Sequence, residues 1–233
     1  MITLWSDFNE LYFRDAAFMH LLCLASAFHG SALQEDSWVQ TENGEVCSVI
    51  ARHGGRLYVS SVGGDTEELL EFIKTVGFEE VFTSKETAAK MGLCILCEFG
   101  CLYKHSEGIF SPDLNHPPLK KIYDGLAQGE DSDISLPPFE DFAPDLSHRL
   151  RHGSAAAVCE EFGTALAFCC PKGGIINGIA VDRDRRFMGL GSSLLNTLCD
   201  RIGRDVFVCA TDKSAEFYIK NGFEMLDTAV IAR

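Results

Sequence analysis

The chain repeats itself. From Val39 to Val62 it reads as an apolar run, a turn, an apolar run, a Gly-Gly turn and a third apolar run, and the same order returns from Val158 to Val181. Val39 stands against Val158, Gly44 against Gly163, Gly54-Gly55 against Gly173-Gly174, and Val62 against Val181. Each segment predicts a three-stranded meander. Further on, Leu69-Leu70 matches Leu194-Leu195 and Val81-Phe82 matches Val206-Phe207, so the first copy lacks six residues between its third strand and the next helix. Lys90 and Gly92 then match Lys220 and Gly222. The helices follow from caps and spacing. Asp65 or Thr66 opens one that buries Leu69, Leu70, Ile73 and Val76 and stops at Gly77; its counterpart buries Leu194, Leu195, Leu198 and Ile202 and stops at Gly203. Strands and helices alternating twice predict a mixed α/β fold in two tandem halves. The expected domains are 1–104 and 117–233, with 105–116 as linker. The stretch from Gly129 to Pro144, rich in Asp, Glu and Pro, reads as a loop around Pro137-Pro138, followed by a helix to about Leu150.

A chain of 233 residues has room for two small cores. Ala16 to Phe28 is its most apolar run, too short to span a bilayer and interrupted by His20, so it reads as a buried helix. Asp7, Glu10, Arg14 and Asp15 precede it, unlike a signal peptide. The formal net charge of −14 disfavours binding to a nucleic acid backbone and suits a cationic substrate as well as mere solubility. Ten cysteines, most of them in apolar strand-like runs, point to a reduced, cytoplasmic protein. Cys94, Cys97 and Cys101, with His105 nearby, have the look of a metal set but lie in a strand-like segment that reads instead as buried thiols.

The residues missing from the first copy mark where chemistry belongs. In the second copy a strand ending at Ile179, Ala180 and Val181 enters a loop that opens a helix, running Arg186, Phe187, Met188, Gly189, Leu190, Gly191 and Ser192. Glycines let backbone approach a ligand, and a helix N-terminus offers unpaired N–H groups and a positive dipole end. Arg183, Arg185 and Arg186 add positive charge. Together these predict an anion site suited to a pyrophosphate. No Gly-Lys-Ser/Thr ending is present, and Leu194 stands where a dinucleotide fingerprint needs its third glycine.

The spacing Arg186-x-x-Gly189-x-Gly191 after a strand resembles the coenzyme A loop of the GNAT N-acetyltransferases. A second segment, Ala215-Glu216-Phe217-Tyr218-Ile219-Lys220-Asn221-Gly222-Phe223, resembles that family's other signature. The resemblance covers about Ser154 to Ile231 and implies the GNAT fold, with the first half a degenerate copy that binds no coenzyme A. It implies that the backbone of Ile179, Ala180 and Val181 faces the pantetheine arm of acetyl-CoA, that residues 186 to 192 cradle the pyrophosphate, and that Asp212 stands where relatives often have a cofactor-binding Asn. It further implies that an amine acceptor attacks the thioester directly and that Tyr218 protonates the leaving thiolate. The base is left open: Glu160 or Glu161 through water, His148, His152, or solvent alone. The acceptor, a small-molecule or peptide amine, is not legible. A cofactor-binding sensor or scaffold is the alternative, and dimerisation is one role left for the first half. Past the last helix there is sequence for one strand where the family usually has two, which predicts that the first half covers the edge.

Overall fold

Alternation of inward and outward residues builds the first meander as the repeat predicts. In the computed structural model, which describes residues 1–5, 13–28, 36–53, 55–107, 117–128 and 136–233, β1 (Ile2–Leu4) pairs antiparallel with β2 (Ser37–Glu42), β2 with β3 (Glu45–His53), and β3 with β4 (Arg56–Ser61). Gly54, 108–116 of the expected linker and 129–135 of the expected acidic loop lie outside the described residues. The chain divides into two compact units, 1–102 with 209–233, and 103–208.

In the first unit α2 (Thr66–Val76) returns the chain so that β5 (Glu80–Ser84) pairs parallel with β4. Asp65 caps α2, accepting from the amides of Glu67 and Glu68 at 2.9 and 3.1 Å, and Gly77 ends it at φ 78°. Leu69 and Ile73 press onto Ile50, Leu57, Val59 and Val81 on one face of the sheet. The opposite face carries α1 (Ala16–Phe28), the helix predicted over those residues, in which Phe18, Met19, Leu21 and Cys23 are at most 1% exposed. Ring contacts tie His20 of α1 to Tyr58 of β4 and Phe82 of β5. After α3 (Lys85–Lys90) comes β6 (Ile95–Lys104). The last strand, β11 (Glu224–Ala232), lies between β5 and β6. Its residues Ala229 to Ala232 pair antiparallel with Ser84 to Val81, and Cys94 and Arg233 exchange backbone bonds of 2.7 and 2.9 Å. Both edges of the last strand are therefore taken by strands of the first half.

In the second unit the meander is β7 (Ala155–Glu160), β8 (Gly163–Cys170) and β9 (Gly173–Val181), joined by α6 (Leu190–Ile202) to β10 (Asp205–Ala210), which runs parallel to β9. Leu194, Leu195, Leu198 and Ile202 are buried as expected, and Gly203 ends α6 at φ 58°. Two helices, α4 (Leu119–Ala127), for which the sequence reading holds no expectation, and α5 (Phe139–Arg151), the helix expected after Pro137-Pro138 to about Leu150, cover the other face with Ile122, Leu126, Phe142, Leu146 and Leu150. Gly125 interrupts the α4 pattern because a Cβ there would lie 2.6 Å from Thr164 Cγ2; the helix rests directly on β8.

The hairpins correct the repeat by a residue or two. The turn closed by Glu42↔Glu45 answers that closed by Glu160↔Gly163, and His53↔Arg56 answers Cys170↔Gly173. Gly163 and Gly173 thus lie in strands, not in turns. Val59, opposite Thr83, answers Ile176, opposite Val208. Ile176 and Leu194 are eighteen positions apart while Val59 and Leu69 are ten, so the second copy's excess is eight residues rather than six.

Candidate functional site

The excess begins inside β9. The β8–β9 ladder passes from Leu166↔Gly178 to Ala167↔Ile176, leaving Asn177 as a bulge whose Oδ1 accepts from the Phe168 amide at 3.3 Å. The β9–β10 ladder stops at the same place, at Val208↔Ile176, although β9 runs on to Val181. Bulges end pairing and redirect a strand in this way. From Asn177 to Val181 the strand is half-buried and bonded only on its β8 side, so alternate amides and carbonyls face the side that β10 has left. Gly178 lies close under α4: a Cβ would come 2.8 Å from Leu126 Cδ2, so the leucine side chain would have to shift. The Asn177-Gly178 pair was the available sequence signal for the bulge, since polar and glycine residues inside a strand mark such breaks.

Beyond Val181 a 3-10 turn, Arg183–Arg185, leads into the glycine loop. The Val181 carbonyl accepts from Arg186 Nε at 3.3 Å, so of the three strand residues singled out by sequence this one has its carbonyl already engaged. The Arg185 guanidinium lies 4.7 Å from the Phe162 ring centre. Phe187 adopts φ 64° and is fully exposed, at 105%, and Met188 is exposed at 63%. A bulky residue in the left-handed region costs about 1–2 kcal/mol, and such strain concentrates at functional loops. Gly189 caps α6 at φ 81°, with open space where a Cβ would go, so it is required for its backbone angle and not for room.

The start of α6 contrasts with that of α2. Around Leu190, Gly191 and Ser192 no side chain caps the helix, and its first turn holds no acidic residue. In α2 a carboxylate already occupies the amides and Glu67 and Glu68 add negative charge. One helix N-terminus is left open for an anion; the other is closed by its own chain. Asp182 and Asp184 stand exposed beside the three arginines and temper their field. Glu160 is the exposed last residue of β7, opposite Gly163, which in turn is opposite Val181. It therefore shares the loop's end of the sheet, two strands from Val181, or about 10 Å. Glu161 is exposed in the turn. His148 and His152 lie ring to ring, 4.4 Å apart, at the end of α5.

The other predicted residues belong to the first unit. Tyr218 lies in α7 (Asp212–Lys220), 8% exposed, edge-on to Phe217 and Phe223 with centroids 5.1 and 5.6 Å away. Asp212 is not the cap of α7; Thr211 holds that position, and Asp212 is an exposed first-turn residue. Cys94 and Cys97 are exposed, which corrects the expectation of buried thiols, while Cys101 is buried. Among the described residues no group of three His, Cys, Asp or Glu is placed to hold a metal ion, and no helix is long and apolar enough to cross a membrane.

No protein-family model matches the sequence, and no curated protein matches it. Solved structures do resemble it in fold. A GCN5-related N-acetyltransferase from Kribbella flavida superposes with a TM-score of 0.57 at 13% identity, covering 93% of each chain. One from Sphaerobacter thermophilus gives 0.54 at 12% identity over 93% of this chain and 90% of the other. A tandem GNAT protein from the clavulanic acid biosynthesis pathway gives 0.53 at 12% identity, covering all of this chain and 97% of the other. The chain thus has the GNAT fold, in the tandem form that the repeat predicts.

Proposed function

We infer that this protein is an acyl-CoA-dependent N-acyltransferase that moves an acetyl group to an amine. The observation that carries the reading is the second unit's unpaired strand edge from Asn177 to Val181, which runs straight into a strained glycine loop and an uncapped helix N-terminus. A pantetheine arm has amide groups of the right kind to pair with such an edge, and a pyrophosphate has the charge to sit on such a helix. The residues fit coenzyme A: Ile179 and Ala180 would pair with the arm, and residues 186 to 192 would hold the phosphates with help from Arg183. Bound acetyl-CoA supplies the activated thioester. Backbone N–H groups of the same edge would polarise its carbonyl. Tyr218 is the proposed donor to the departing thiolate, and Glu160 the proposed base, acting through water. A cationic amine suits the net charge of −14. A cytoplasmic setting, where acetyl-CoA and reduced thiols coexist, goes with this reading.

Calorimetric titration with acetyl-CoA tests it, with Gly191→Asp in parallel. An aspartate in the first turn of a helix favours the helix while repelling a phosphate, so the variant should melt no lower than the wild type. It should bind at least about tenfold more weakly, a loss of about 1.4 kcal/mol or more. A wild type that shows no saturable heat ends the proposal.

A second reading, a fold that binds the cofactor as a sensor or scaffold, is favoured by the packing of Tyr218 between two phenylalanines and by the solvent exposure of Glu160. Tyr218→Phe separates the two. For the enzyme, kcat on any amine acceptor found by screening should fall by about 10²–10⁴-fold, with acetyl-CoA affinity unchanged. An unchanged rate points to the aromatic core role alone.

A further inference from the structure

The first unit holds a second cluster of reactive groups, which acyl transfer leaves unused. A Cβ on Gly100 of β6 would lie 3.6 Å from the Ala210 carbonyl of β10, and three residues along, Tyr103 packs on Phe207 with ring centres 5.1 Å apart. The contacts advance in opposite directions, which sets Cys101 across from Cys209. Their sulfurs share a hydrogen bond, and both cysteines are free. Residues directly opposed in an antiparallel pair have Cα atoms about 4.5–5.5 Å apart, within the roughly 4.4–6.8 Å that a disulfide spans. His20 of α1 also hydrogen-bonds Cys209, and its ring is held 5.0 Å from that of Phe82 and 5.3 Å from that of Tyr58.

The two thiols differ in kind. Cys209 is lowered to about 6, first by the hydrogen bond from Cys101 and then, against burial, by the bond and charge of His20. Cys101 is pushed well up by the same pairing and by burial. Asp15, and for Cys101 also Asp227, act against ionisation without reversing this order. Cys209 is only half-buried, whereas Cys101 is 1% exposed. A thiolate with some access, a protonated thiol facing it and an imidazole alongside are the parts of an attacking and resolving pair.

We propose that Cys209 and Cys101 form a peroxide-reactive dithiol, Cys209 attacking a small hydroperoxide and Cys101 resolving the product as a disulfide. The Cys209 thiolate attacks one peroxide oxygen and the O–O bond breaks. The departing hydroxide takes up a proton from solvent and leaves as water. Cys101 sulfur then attacks the sulfenic sulfur; the S–S bond forms, the S–O bond breaks, and the second water carries off the Cys101 proton. Two thiols are oxidised and one peroxide is reduced.

The test is peptide mapping of the reduced full-length protein after brief treatment with stoichiometric hydrogen peroxide and alkylation. The expected result is a linked pair of peptides carrying Cys101 and Cys209, formed before the exposed Cys94 and Cys97 are modified. Cys101→Ser should stop the reaction at a Cys209 sulfenic acid that dimedone captures. Cys209→Ser should leave Cys101 unoxidised. His20→Gln should slow cross-linking about tenfold by reducing the thiolate fraction. Oxidation of Cys94 or Cys97 first, with no 101–209 link in the wild type, overturns the proposal, and that reading depends on no variant.

Discussion

Asp15 is a carboxyl group placed where a charge is costly. Burial raises its pKa, while the Ser60 hydroxyl and the Phe18 and Ala17 amides, which favour the ionised form, only partly offset this. A carboxyl raised in the folded state contributes stability at pH below its unfolded value and loses that contribution as pH climbs through the folded value. Asn cannot titrate, yet its carbonyl can still accept from the Phe18 amide. Asp15→Asn should therefore melt close to the wild type in acid and above it at neutral pH, with the gap opening from the ordinary carboxylate range upward. Melting curves across pH decide this, and a gap independent of pH contradicts it. Residues of this kind are hard to read from sequence. Gly189, at φ 81°, was legible because a backbone demand leaves a fixed spacing in one segment. Asp15 meets Ser60, and Cys101 meets Cys209, through chain folding alone, and neither leaves a local pattern.

The same helix occurs twice, with opposite electrostatics at its start. The Asp65 cap and the shortening of the chain ahead of α2 were both legible, because caps and deletions are local. The hairpin register was not, because a glycine in a sequence does not say whether it stands in a turn or, like Gly163 and Gly173, in a strand. In β9 the glycines serve other ends: a Cβ on Gly174 would crowd Phe168 O at 3.1 Å, and Gly178 admits Leu126. The bulge at Asn177 shifts the count as well. The helix α4 escaped because it is short, carries Gly125, and opens at Pro118 without a side-chain cap. Its apolar stripe of Leu119, Ile122 and Leu126 was the readable sign. What the helix does for the candidate site follows from Gly178, where Leu126 of α4 packs close onto the bulged strand in the space a side chain would take.

At the scale of the molecule, chain order and spatial order part company. The repeat reads as two successive halves, yet the compact unit that contains residues 1–102 also takes in 209–233. Without β11, strands β5 and β6 would each present an open edge, and such edges bring instability and aggregation. Val230 and Ala232, both 0% exposed, close a core with Ala88, Leu93 and Ile95, and burying a valine of this kind is worth about 1.5–3 kcal/mol. The pairing of Ala229 to Ala232 with β5 and the Cys94–Arg233 bonds are lost with the strand. A fragment ending at Lys104 should therefore lack a cooperative thermal transition and bind dyes that report exposed apolar surface. Joining 209–233 to it through a flexible linker should restore a cooperative melt. A 1–104 fragment that melts cooperatively by itself, with a β-rich circular dichroism spectrum, would mean that the first half completes its own core and that β11 is an addition to it.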